Sequence, residues 1–169
     1  LMLSARWSAN AWVTVICSPI YLQKLNKIRY LVPICTWRSN MTEEGEKWGV
    51  VGARPFEPSR WLDEGDSVSF GNVVMAVLHC PGHTPGHVVF HHPLAQLAIV
   101  GDVLFQGSIG RTDFPRSSHA DLIHSITTKL WPLGGDTAFV PGHGPMSNFA
   151  AERESNPFVS DAALAAALV

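Results

Sequence analysis

No histidine and no aspartate precedes Asp63, and the first of the eight histidines is His79. The opening third of the chain therefore offers no imidazole and no aspartate to a zinc or iron(II) site. Cysteine is scarce too. Cys17, Cys35 and Cys80 form no CxxC pair, which argues against a disulfide scaffold and a thiolate zinc site and fits a reduced, cytoplasmic setting. Charge of either sign is thin, with 12 basic residues, 14 acidic residues and a net charge of −2, so nothing marks a nucleic-acid surface. Long apolar runs are missing as well: Ala11 to Leu22 is broken by Ser18-Pro19 and is too short to span a membrane. Arg6 ahead of that run faintly resembles a signal peptide, but no small-x-small cleavage site follows cleanly.

What is present divides unevenly. Residues 1–52 hold four of the six tryptophans and two of the three cysteines, and their charge is on balance basic. Trp12 to Ile16 and Ile28 to Ile34 could be strands, although their alternation is poor. From about residue 53 the chain turns acidic and its patterns become regular. We read 1–52 as an atypical segment and 53–169 as a single partial domain, apolar enough at 46% hydrophobic residues overall to build a core.

The later part is organised around His79-Cys80-Pro81-Gly82-His83-Thr84-Pro85-Gly86-His87. Histidines four apart suit one face of a helix, but the interleaved prolines and glycines forbid one. The stretch reads as a rigid loop between the apolar runs Val73 to Leu78 and Val88 to Phe90. Two further strand candidates end in the same manner. Ala98 to Val100 runs into Gly101-Asp102, and Ala138 to Val140 runs into Pro141-Gly142-His143-Gly144. Each strand delivers an imidazole or a carboxylate just past its C-terminal end. A carboxylate between two imidazoles is the ligand chemistry of zinc or iron(II), and a carboxylate oxygen can also bridge two ions. Cys80 could be a nucleophile, though a packed thiol is the better reading.

Five ordered motifs give the chain a family likeness. They are Trp61-Leu62-Asp63-Glu64-Gly65-Asp66, the run Leu78 to Phe90, Gly101-Asp102-Val103-Leu104-Phe105, Gly110-Arg111-Thr112-Asp113-Phe114-Pro115, and Pro141-Gly142-His143-Gly144-Pro145. With them, the chain from about Arg54 to Phe158 resembles metallo-β-lactamase-fold hydrolases of the bacterial glyoxalase II (hydroxyacylglutathione hydrolase-like) branch. The resemblance implies an αββα sandwich, of which this chain carries mainly the C-terminal half. It also implies His83 as a ligand of a first metal, Asp102 as the bridging and catalytic carboxylate, and His143 as a ligand of a second metal. The cofactor implied is zinc, binuclear in complete relatives, with iron as the alternative. The implied substrate is a small-molecule acyl thioester, glutathione-linked in type, with no nucleic-acid or membrane partner.

The chain departs from the family at one point. The upstream His-x-His-x-Asp-His motif, which would supply four of seven metal ligands, is absent. The remaining three donors are expected to bind metal weakly, and we expect residues 1–52 to reflect a truncated gene or a shifted reading frame. Without the first half's sheet, one face of the second is expected to lie open. Two other functions stay in view: an iron-dependent persulfide dioxygenase, which shares the fold and a similar Gly-Arg-Thr-Asp loop, and a metal-free remnant or binding module. A β-lactamase proper fits less well, since nothing suggests export.

The remaining patterns place the elements. Ser67 to Phe70 and Val73 to Leu78 form a hairpin about Gly71-Asn72. Val88 to His91 pairs with Gln96 to Val100 across Pro93-Leu94-Ala95, with His91 and His92 as solvated flanking residues. Gly107 to Pro115 is a loop in which Arg111 and Asp113 are placed to pair, Arg111 being structural. Ser117 or Ser118 caps a helix from His119 to Leu130 that buries Leu122, Ile123, Ile126 and Leu130 and ends at Pro132 to Gly135. Short helices follow at Ala150 to Glu154 and Asp161 to Leu168. Together these give a layered α/β architecture.

Overall fold

The computed structural model describes residues 60–113 and 115–167. The division at residue 52 and the strands read before it lie outside the described residues. A six-stranded sheet dominates, in the order β1-β2-β3-β4-β7-β8. Its first four strands form an antiparallel meander: β1 (Ser67–Phe70), β2 (Val73–His79), β3 (Val88–His92) and β4 (Leu97–Gly101). The first hairpin turns at Gly71-Asn72 as its sequence requires, with Phe70 opposite Val73 and Gly71 at φ +57°. The second connection is tighter than a plain turn. Pro93–Ala95 forms one turn of 3-10 helix, left by Gln96 in the left-handed region, so β4 begins at Leu97 rather than Gln96. His91 and His92 are both half-buried rather than solvated, and the His92 Nδ1 accepts from the Ala95 N–H at 3.0 Å.

From β4 the chain crosses over to a parallel partner, β7 (Ala138–Pro141). The crossover carries a small separate hairpin, β5 (Leu104–Phe105) with β6 (Ser108–Ile109), and then α1 (His119–Ser125). Ser108 and Ile109 of the expected Gly107 to Pro115 loop are thus paired strand, with Gly107 in the turn before them. Ser118, not Ser117, caps α1 by accepting from the Asp121 N–H at 3.2 Å. Beyond Ser125 the coil loosens to a π-helix over Ile126–Leu130, then tightens to 3-10 at Trp131–Leu133 and stops at Gly134, φ +96°. The expected helix is therefore continuous in path but α-helical only in its first half. Antiparallel β8 (Ser147–Asn148), α2 (Phe149–Ser155) and α3 (Asp161–Ala166) complete the fold.

Alternation along the strands sends side chains to two apolar clusters. On one face Val89, Ala98, Val100 and Phe139 pack with Leu122, Ile126 and Leu130 of the crossover helix and with Phe149 of α2. Those three helical residues are fully buried, each contributing about 1.5–3 kcal/mol of apolar transfer. Phe139 stacks on Phe149 with ring centroids 5.5 Å apart. The other face gathers Met75, Val77, Val88 and Phe90 with Leu62. All of these are buried, so the expected open face is closed at these positions. No helix among the described residues is long and apolar enough to cross a membrane.

Candidate metal centre

Each of the three expected ligands sits at a strand end, and the sheet brings those ends together. The loop carrying His83 joins β2 to β3. The Cys80 N–H donates to the His87 carbonyl at 2.8 Å across its base. Its far side is fastened to α1, where the Ser118 N–H donates to the Gly82 carbonyl and the Ser125 hydroxyl to the Pro81 carbonyl, both at 2.8 Å. Gly82 takes φ +136°, and a Cβ there would come within 2.4 Å of the Leu122 backbone. Only glycine allows that approach.

Asp102 and His143 follow the parallel neighbours β4 and β7, which end side by side. The Gly142 N–H donates to the Gly101 carbonyl at 2.9 Å and ties the two exits together. Functional groups gather at the C-terminal ends of strands in this way throughout open α/β sheets. The Asp102 carboxylate lies between the imidazoles, Oδ2 3.7 Å from His83 Nε2 and Oδ1 3.9 Å from His143 Nε2. Both separations exceed hydrogen-bond length.

The surroundings fit an electrophile better than a proton. Asp102 is almost wholly buried, and its Oδ1 has no hydrogen-bond partner among the described residues. Burial pushes its carboxyl up to about 7. His83 Nδ1 lies 2.9 Å from the Arg111 carbonyl, which can only accept, so Nδ1 carries the proton and Nε2 is the basic nitrogen turned toward Asp102. Burial also holds the His83 imidazole below its ordinary range. One carboxylate oxygen facing each of two imidazoles is a donor set able to hold zinc or iron(II). It does not enclose a single point: among the described residues, no three His, Cys, Asp or Glu side chains converge on one ion position.

Neighbouring histidines do not join the group. His79 Nε2 donates to the Pro85 carbonyl at 2.8 Å and His87 Nε2 to the Val100 carbonyl at 3.2 Å. Burial lowers the His87 imidazole to about 4, so it serves as a neutral strut behind His83. Cys80 is fully buried and its thiol is pushed up to about 12, which makes it a packed thiol and no nucleophile. Arg111 binds Asp113 through two bonds of 2.6 Å, the expected pairing, in an exposed position.

Two residues at the site escape sequence reasoning. The Phe105 ring lies against the His143 imidazole, centroids 4.5 Å apart. Gly110 is pressed so closely on the site that a Cβ there would meet the Asp102 carbonyl oxygen at 2.0 Å and His83 Cβ at 3.2 Å. Gly110 opens the Gly-Arg-Thr-Asp motif, so its position was visible, but the contact that demands glycine was not.

Comparison with known proteins gives this geometry a context. Hydroxyacylglutathione hydrolase GloC of Haemophilus influenzae is 43% identical over 122 residues, covering 72% of this chain and 58% of the relative. The chain thus spans little more than half of that relative's length. Among solved structures, TTHA1623 in a di-iron-bound form matches with a TM-score of 0.68 and 34% identity, over 85% of this chain and 71% of that one. ETHE1 from Myxococcus xanthus matches at 0.58 and 31%, over 61% and 47%. The family model described as the metallo-beta-lactamase superfamily matches residues 26–143, a stretch that ends on His143 and takes in all three clustered residues. With its mixed sheet, its strand-end loops and this match over most of its length, the chain belongs to the metallo-beta-lactamase superfamily.

Proposed function

We propose that this chain is a metal-dependent hydrolase of acyl thioesters, of the hydroxyacylglutathione type, and that His83, Asp102 and His143 are its metal ligands. The observation that carries the reading is the buried Asp102 carboxylate, one oxygen unsatisfied, held between two imidazoles that arrive from separate strand ends. The 43% identity to GloC supports the substrate class. A bound zinc or iron(II) supplies Lewis acidity and a water whose pKa falls toward about 7.

The chain's own residues do the rest. The Arg111 carbonyl fixes the His83 tautomer so that Nε2 is the donor. Asp102 turns Oδ2 toward His83 and Oδ1 toward His143, so its carboxylate would serve as a ligand beside either imidazole. Phe105 limits the swing of the otherwise exposed His143 ring. Three protein donors do not fill two ions, so binding should be weak and turnover slow beside a complete relative.

The test is metal content of the purified, folded chain, with His83→Ala and Asp102→Ala alongside, followed by hydrolysis of a hydroxyacylglutathione. One to two ions per chain, lost in both variants, is the expected result. A folded chain that takes up neither zinc nor iron is an inactive remnant, and the reading is then wrong. The match to ETHE1 from Myxococcus xanthus favours a second reading, iron-dependent oxidation of a persulfide. Iron in the chain together with oxygen uptake on glutathione persulfide would select it.

A further inference from the structure

The β5–β6 hairpin and the two residues that leave it, Gly110 and Arg111, touch all three residues of the centre. Phe105 lies against His143, Gly110 packs on Asp102 and His83, and the Arg111 carbonyl accepts from His83 Nδ1. A hairpin of two-residue strands has little stability of its own. Something else must hold it in place.

Behind its turn lies a buried polar cluster that the proposed chemistry does not use. Glu152 of α2 is buried to 2% exposure. Its Oε2 accepts from the Gly107 N–H and from Asn156 Nδ2, both at 2.8 Å, and its Oε1 accepts from the Ser147 hydroxyl at 2.5 Å. Asn156 Nδ2 also donates to the Ser108 carbonyl at 3.1 Å and reaches the Phe105 carbonyl at 3.5 Å. Its Oδ1 accepts from the Phe158 N–H at 3.0 Å. With a carboxylate and two carbonyls on one side and an N–H on the other, the amide has only one workable orientation. A buried carboxylate that accepts three hydrogen bonds is costly to disturb.

We infer that Glu152 and Asn156 are positioning residues for the metal centre, acting through the β5–β6 hairpin to set Phe105 against His143 and Gly110-Arg111 against His83 and Asp102. This rests on the ligand assignment proposed above, and the experiment separates the two. The first readout needs no metal: the His143 ring-proton resonances, which the adjacent Phe105 ring shifts, are recorded in the parent chain and in Phe105→Leu. In Glu152→Ala they should move toward the Phe105→Leu position, whereas Glu152→Gln, which retains an acceptor for Gly107 and Asn156, should restore them. The second readout is zinc affinity by competition with a chromophoric chelator. It should fall about 10- to 100-fold in Glu152→Ala, the usual loss when an outer support of a ligand is removed.

If Glu152→Ala loses its cooperative melt, Asn156→Ser carries the same test, because it removes the donor to Phe105 and Ser108 and leaves Glu152 bonded to Gly107. Folded variants with unmoved His143 resonances would overturn the positioning role, and so would failure of both to fold, which would make the pair a general requirement of the core. Absence of zinc binding in the parent would sink the proposed function and leave the resonance test standing.

Discussion

Burial acts in opposite senses on the two ionisable groups that face each other at 3.7 Å. It raises Asp102 to about 7 from its ordinary 3.8, and it lowers His83. Without metal, Asp102 therefore costs the fold stability over a defined pH range. Below its unfolded value both states hold the proton and nothing is lost. As pH climbs from about 4 to about 7 the unfolded chain gives up the proton more readily, and stability drains away. In chelator, Asp102→Asn should accordingly outlast the parent in urea by about 2–4 kcal/mol near pH 8, with the gain vanishing toward pH 4. A pH-independent difference would show that the carboxylate is not desolvated. Gly110→Ala should cost about 2–3 kcal/mol in the same assay, since a methyl cannot share space with the Asp102 carbonyl. At this scale the apolar runs marked the strand ends that carry Asp102 and His143, while His83 was singled out from His79 and His87 by the family resemblance. Phe105 and Gly110 stood in the motifs, but their contacts with His143 and with Asp102 and His83 came only with the fold.

Among the elements, those built from local signals were legible. Gly71-Asn72 dictates a hairpin, Pro93 starts a turn, and Ser118 stands where a cap belongs. The crossover helix does double duty, because its N-terminus also anchors the ligand loop through the Ser118 N–H and its Ser125 hydroxyl binds Pro81. Ser118→Ala removes the cap but keeps the backbone donor. It should cost about 1 kcal/mol, measured by urea denaturation, and leave zinc affinity unchanged. A parallel loss of affinity would mean that fraying of the helix reaches His83. The β5–β6 hairpin and β8 left no legible trace, because strands of two residues are too short to show alternation. The π-helical turn was hidden for a different reason. Leu122, Ile126 and Leu130 follow a spacing that an α-helix satisfies equally well.

At the scale of the molecule, two apolar clusters among the described residues lie on opposite faces of one sheet, and the proposed metal centre lies at the sheet's end. Ion binding and stability should then be linked in a simple manner. Zinc at 100 times its Kd stabilises by about 2.7 kcal/mol, so a melt in zinc should exceed one in chelator by roughly 5–10 °C. His83→Ala should abolish the difference. An equal shift in the variant would place the zinc elsewhere.

The parallel pairing of β4 with β7 has a consequence in time. Asp102 and His143 are neighbours only because strands separated by an entire crossover come to lie side by side. Closing so long a loop is slow, and its entropy is spent before any contact returns it. The meander β1 to β4 and the crossover helix can form from nearby segments, but the pocket cannot. The pairing that assembles the site is therefore the slow one, and a metal binding at the proposed centre would need β4 and β7 already side by side.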